Sequence, residues 1–235
     1  MTKKVNSAEQ NAGEMAAVAG KAWFETNAKK ILGVLVAVLV LVGGYIYYTK
    51  YYMGPREDAA QAQNTLGLNY LAQGDYATAL TGDADFLGFE KIASEYSGTK
   101  AANMANMYVG LCYAHQQQYA QAIEWLEKFD VQGDQSVSAM ALYALANCYA
   151  AENQLDKAIS AFKEAAAVAA NEAISPMCLI EAGKLLESQG NNAEAANLYE
   201  SIKKDYPTAS VVRPSAQNAN TFTSEIDKYI ERASK

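Results

Sequence analysis

A run of eighteen residues without charge, Ile31–Tyr48, limits what this chain can fold into. It reads Ile-Leu-Gly-Val-Leu-Val-Ala-Val-Leu-Val-Leu-Val-Gly-Gly-Tyr-Ile-Tyr-Tyr, with Lys29 and Lys30 before it and Lys50 after it. At a rise of about 1.5 Å per residue such a helix covers roughly 27 Å, close to the ~30 Å of a bilayer core. Its Val, Leu and Ile side chains each favour insertion by about 0.3–0.6 kcal/mol at the centre of a span. β-Branched residues weaken a soluble helix, but in lipid the backbone has no water to turn to. The alternative is a buried core helix. Against it, neither end carries a soluble helix cap. Tyr45, Tyr47, Tyr48, Tyr51 and Tyr52 also form the kind of aromatic belt found at membrane interfaces. A cleaved signal peptide would have about 7–15 apolar residues and then a small-x-small site. The run here is longer and ends in tyrosines, which favours an uncleaved anchor. The expected order is an N-terminal segment (1–30), a transmembrane helix (31–49) and a linker (50–58).

Charge orients that span. The 235 residues include 19 Lys or Arg and 26 Asp or Glu, a net charge of −7. Residues 1–30 hold five Lys against three acids, so the acidic excess lies beyond the apolar run. The positive-inside rule then puts the N terminus in the cytoplasm and the bulk of the chain across the membrane. Trp23 and Phe24, with Lys29 and Lys30, are the expected membrane-anchor residues, the aromatic pair resting at the lipid headgroups. An acidic bulk argues against nucleic acid, which demands a basic surface. The three cysteines, Cys112, Cys148 and Cys178, sit inside apolar helical patterns as small hydrophobes and make no disulfide framework.

From Ala59 the chain repeats itself. Leu66-Gly67-Leu-Asn-Tyr70, Val109-Gly110-Leu-Cys-Tyr113 and Leu145-Ala146-Asn-Cys-Tyr149 share an apolar residue, a small residue and a Tyr at fixed offsets. Nine residues after each Tyr stands Ala79, Ala122 or Ala158, and Leu126 and Phe162 follow the last two by four residues. A fourth window keeps the frame with Gly183, Leu186, Ala195, Tyr199 and Pro207. The small residues at 110, 146 and 183 are 36 and 37 apart. These windows resemble the tetratricopeptide repeat, W-x2-L-G-x2-Y…A-x3-F…P. The resemblance implies an all-α chain: a single N-terminal transmembrane helix followed by an α-solenoid of about four repeats over 59–211. The turns within repeats are expected at 73–76, 116–119, 152–155 and 189–192. The first repeat carries an insertion at 80–88. A final helix over 212–235 would cap the array, with Phe222, Ile226, Tyr229 and Ile230 at helical spacing.

No catalytic set appears in the sequence. His115 is the single histidine, which leaves no Ser-His-Asp or Cys-His pairing with nucleophile logic. No metal-ligand spacing and no phosphate-binding glycine loop is present. Asp83 and Asp85 near Gly82 lack the rest of a calcium loop and read as a solvated turn. The chain is therefore expected to be no enzyme, to hold no cofactor or metal and to act on no small-molecule substrate. In the resembled repeats the first helix of each pair lines a concave surface. That picks out Met104, Met107, Leu111 and His115, then Met140, Tyr143 and Asn147, then Met177, Ile180, Lys184 and Glu187. Met is adaptable and suits broad apolar binding, so these positions are the expected protein-binding groove. The alternative is that a tight superhelix or the final helix buries them. Tetratricopeptide domains that clamp acidic tails use Lys, Arg and Asn there, and Asn147 and Lys184 alone do not make such a clamp.

The order of parts, with Trp23-Phe24, Asn27, Lys29, one span and an acidic repeat domain, is similar to the membrane-anchored ancillary subunit of the Sec translocon of Gram-negative bacteria. That resemblance implies a single-pass inner-membrane protein whose periplasmic repeats contact the translocon, periplasmic chaperones and emerging polypeptides. Phe89–Ser97 and Tyr199–Pro207 also resemble segments in the repeats of outer-membrane assembly and cell-envelope coordination proteins. The alternative role is thus a structural adaptor of an envelope complex.

Overall fold

The computed structural model describes residues 2–131, 133–214 and 224–235, and these form two compact units, Met1–Pro55 and Arg56–Lys235. The expected position of Phe222 lies outside the described residues.

In the first unit a single helix, α1 (Thr2–Tyr47), contains the apolar run. It is long and apolar enough to cross a membrane. Side chains 32–48 are exposed, Leu39 by 70% and Val34 by 63%, so the run is not the core helix of a soluble fold. Gly54 keeps helical torsions, and residues 50–58, where a linker was expected, are helical. A wide π-helical segment, Tyr48–Met53, precedes the proline, and the Gly54 amide reaches back five residues to the Thr49 carbonyl. Pro55 has no amide to donate, and its ring crowds the carbonyl of Tyr51, which a widened turn accommodates. Along this stretch the rings of Tyr47 and Tyr51, and of Tyr48 and Tyr52, stack at 5.6 and 5.5 Å.

The second unit is a succession of antiparallel helix pairs. α2 (Gly54–Gln73) pairs with α3 (Tyr76–Thr81) and α4 (Phe89–Glu95); α5 (Lys100–His115) pairs with α6 (Tyr119–Leu126). α7 (Gln135–Ala151) pairs with α8 (Leu155–Ala169), and α9 (Ile174–Ser188) with α10 (Asn192–Asp205). The same backbone turn closes the first helix of each repeat. The amides of Asp75, Gln118, Gln154 and Asn191 donate to the carbonyls of Tyr70, Tyr113, Tyr149 and Leu186 at 2.8–2.9 Å. These reach-back bonds satisfy carbonyls that a helix end leaves orphaned. Each requires a left-handed residue just before the donor, and Gly74, Gln117, Asn153 and Gly190 supply it. The Ala residues at fixed offset, Ala79, Ala122, Ala158 and Ala195, begin the second helices and are fully buried.

The small residue of each first helix is a seat for the second. A Cβ on Gly110 would lie 2.5 Å from Leu126 Cγ, and one on Gly183 2.3 Å from the Tyr199 ring. On Gly67 it would meet Phe89 at 2.4 Å and Phe86 at 2.6 Å. The insertion in the first repeat delivers those two rings. α3 runs on through Thr81, two residues into the expected insertion, and the chain then loops back through Gly82 and Gly88. Asp83 holds the loop: its Oδ1 accepts from the amides of Asp85 and Phe86 at 2.9 Å, and its Oδ2 from the Tyr70 hydroxyl.

The last helix is shorter than expected. α11 spans Glu225–Ala233, not 212–235. Residues 206–214 are turns, Pro214 pairs with Ser224 in an isolated antiparallel bridge, and Ser224 with Asp227 makes a capping box that fixes the helix start. α11 is fastened to the last repeat by two ion pairs. Arg232 reaches Glu187 at 2.6 and 2.8 Å, and Lys203 reaches Asp227 at 2.7 Å. Ile226 is fully buried, and the Tyr229 ring lies 5.3 Å from that of Tyr199.

Candidate protein-binding groove

α5 and α7 present the expected groove positions. Thr99 caps α5 by accepting from the Ala102 amide at 3.0 Å, and Glu57 of α2 adds bonds from the Lys100 and Ala101 amides at 2.6 and 3.0 Å. Asp134 caps α7 by accepting from Ser136 and Val137 at 2.8 and 3.1 Å. Residues three and four apart fall on one face of a helix. Met107, Leu111 and His115 on α5 therefore share a face, as do Met140, Tyr143 and Asn147 on α7. The two faces border a cavity of about 650 Å³.

Six of the eleven expected groove residues line this cavity: Met107, Leu111, His115, Met140, Tyr143 and Asn147. The other five are elsewhere. Glu187 is held by the Tyr199 hydroxyl and by Arg232. Met104 borders a neighbouring space of about 370 Å³ with Phe129 and Val137. Met177, Ile180 and Lys184 border a third, of about 210 Å³, which Val211, Glu225 and Tyr229 help to close. The final segment thus covers the fourth repeat's positions in part and leaves those of the second and third repeats open. Met140 is 44% exposed, whereas Met107 at the back of the cavity is 8% exposed.

The sequence reading missed Ala114, Tyr119, Ser136, Val137, Ala144 and Cys148 in the same wall. Val137, Ala144 and Cys148 continue the Met140 stripe at helical spacing, so the periodicity contains them. Tyr119 opens α6 and joins the wall only through the tertiary turn.

Apart from His115, no ionisable side chain but the Cys148 thiol and the two tyrosines faces this cavity. The His115 ring stacks on Tyr76 at 4.7 Å. Asn147 donates to its own helix at the Tyr143 carbonyl. Burial, with the charge of Glu152 adding, pushes the Cys148 thiol up to about 11. It stays protonated at neutral pH, and burial holds Cys112 and Cys178 up in the same way. Among the described residues no group of His, Cys, Asp and Glu is placed to hold a metal ion. What the site offers is apolar surface with a few hydrogen-bonding groups. In the first unit, Trp23 and Phe24 are exposed about two turns before the apolar run, and Lys29 and Lys30 are exposed at its start.

Residues 21–218 match the family described as a tetratricopeptide repeat-like domain. The sequence matches none of the curated proteins. Among solved structures, the nearly identical TPR-like repeats of a Podosopora anserina kinesin-light-chain-type protein superpose with a TM-score of 0.54 at 15% identity, over 75% of this chain and 85% of that one. The crystal structure of MamA protein superposes with a TM-score of 0.52 at 21% identity, over 74% of this chain and 89% of that one. At these identities the likeness is one of fold.

Proposed function

The chain belongs to the tetratricopeptide repeat-like domain family, and from that premise we propose that it is a non-enzymatic scaffold, held at a membrane by α1, that binds protein segments in the groove between α5 and α7. The observation that carries this is the open, apolar cavity on the face that first helices of such repeats turn inward. The α1 run supports tethering, because its exposed apolar side chains need lipid or protein around them. Placing a groove at a membrane raises its effective concentration there.

In this reading the N terminus is cytoplasmic and the repeats lie on the periplasmic side of the inner membrane. The scaffold stands beside the Sec translocon and passes emerging chains to periplasmic chaperones. The support is the Lys-rich lead, the single span and the order of parts. The test is a photo-crosslinking residue at Met140 or Tyr143, and as a control at exposed Lys91, in living cells. The groove positions should capture translocon subunits, chaperones or secreted chains, with the last lost when secretion is blocked. One stoichiometric partner whose capture ignores the block would support the envelope adaptor instead. No capture of either kind removes the groove from the proposal.

A further inference from the structure

α7 is seventeen residues long and carries no charged side chain. An acid stands at each end of it, Asp134 before and Glu152 after. The two differ in what they face. Asp134 caps the positive end of the helix and accepts two amide hydrogen bonds. Glu152 stands at the other end, where the carbonyls already carry negative charge, and a carboxylate there opposes the helix dipole. It is exposed, and it takes part in none of the ion pairs among the described residues. Lys157, five residues on, lies over the Tyr149 ring at 5.1 Å instead. Glu152 follows Cys148 by four residues, one turn beyond the residue at the edge of the cavity wall, and its charge acts on the Cys148 thiol. The uncharged wall therefore ends in a solvent-facing negative pole. The surrounding unit has the same sign, with thirteen Lys or Arg against twenty-three Asp or Glu over 56–235.

The wall also has a length. Ser136 to Cys148 covers thirteen residues of α7, roughly 18 Å along the helix. A partner lying along it needs about three helical turns of apolar sequence. We infer that the α5–α7 groove takes a short apolar stretch of polypeptide, about three helical turns long, with a lysine or arginine at the end that lies beside Glu152. This rests on the groove reading proposed above and gives it a charge rule and a direction. A basic end is drawn to the Glu152 pole, an acidic end is repelled, and the pairing sets which way the segment lies.

The full chain, with a benzophenone-bearing residue in place of Met140, is embedded in nanodiscs of uncharged phosphatidylcholine. Three synthetic peptides share one twelve-residue Leu/Ala stretch and end in Lys-Lys, Ser-Ser or Glu-Glu. Crosslinking at position 140 reports groove occupancy alone. The Lys peptide should crosslink at concentrations up to about fivefold lower than the Ser peptide, the size of one exposed ion pair, and the Glu peptide should need more than either. Glu152→Gln, which keeps the helix end uncharged and polar, should erase the Lys advantage and leave the Ser peptide unchanged. High salt should erase it too. Equal capture of Lys and Glu peptides, or a Lys advantage that survives Glu152→Gln, overturns the charge rule and leaves the apolar groove standing. If none of the three peptides crosslinks, the groove reading falls with it.

Discussion

Four residues take left-handed backbone at equivalent turns, and only two of them are glycine. Gln117 has φ 60° and Asn153 φ 57° where the other repeats use Gly74 and Gly190. A side chain there costs about 1–2 kcal/mol, while glycine brings back about 0.5–1 kcal/mol of chain entropy. Gln117→Gly should therefore stabilise the protein by up to about 1 kcal/mol, read as a higher urea midpoint. Asn153→Gly should gain less, since Asn tolerates this region. The opposite change belongs at Gly110, whose missing Cβ leaves room for Leu126. Gly110→Ala should cost about 1–3 kcal/mol by overpacking, with Leu126→Val restoring part of it. These seats were legible in the sequence because a steric demand leaves few residue types: Gly67, Gly110 and Gly183 are small for one reason. The turn at Gln117 was legible in place but not in backbone sign, because Gln advertises neither. The Tyr–carboxylate bonds, Tyr113 to Glu90 and Tyr149 to Glu127, were not legible at all. They join residues more than twenty positions apart, and no local pattern pairs them.

Among the elements, α11 shows what periodicity alone misplaces. Apolar residues at helical spacing suggested a helix from 212, yet the backbone obeys Ser224, whose side chain and that of Asp227 close the first turn. That Ser-x-x-Asp signal was in the sequence and outweighs a stripe that begins earlier. The same element carries a pH dependence. Lys203, with the Ser224 amide, holds the Asp227 carboxyl down at about 2, and Arg232, with the Tyr199 hydroxyl, holds Glu187 below the usual range. Both folded values lie below the unfolded ones, so the stabilisation is complete above the ordinary carboxylate range and is lost as pH falls through the folded values. Both pairs are partly exposed, so the energy is modest. Hydrogen exchange, corrected for intrinsic rates, should show α11 losing protection between about pH 4.5 and 2 while α7 and α8 keep theirs. Lys203→Met should move that loss to higher pH. Simultaneous loss in all three helices would mean that the ion pairs do not fasten α11 separately.

At the scale of the whole repeat unit, the question is how an array built to stack comes to an end. Every inner first helix turns one stripe toward the helix before it. On α5 that stripe is Ala101, Ala105, Val109 and Cys112, all buried with Phe89 and Ile92 of the preceding repeat. The matching stripes, Val137, Ala141, Leu145 and Cys148 on α7 and Ile174, Cys178, Ala182 and Leu185 on α9, are buried or half-buried. On α2 the same four positions are Asp58, Ala62, Leu66 and Asn69, and all are exposed. The apolar centre of the stripe survives, with Leu66 42% exposed, but its two ends have become polar. A polar outer face on a terminal repeat is what keeps a solenoid from adding further units. At the other end α11 does the work by covering. The register of the repeats made this difference readable in the sequence once the small residues were aligned. The groove was less so, because α11 and the turn at Tyr119 decide by tertiary contact which inward positions stay open. If Asp58 and Asn69 are the stop signal, then Asp58→Leu with Asn69→Leu rebuilds a continuous apolar stripe on α2 of the kind that α5 buries. The double variant should keep its helix content and melting behaviour, because neither residue is buried. It should also self-associate: sedimentation of the detergent-solubilised full chain should show a mass that rises with protein concentration, while the unchanged protein stays constant. Adding Leu66→Lys to the double variant should abolish the association by placing a charge at the centre of the stripe. A double variant whose mass does not change with concentration would mean that something other than these two polar residues ends the array.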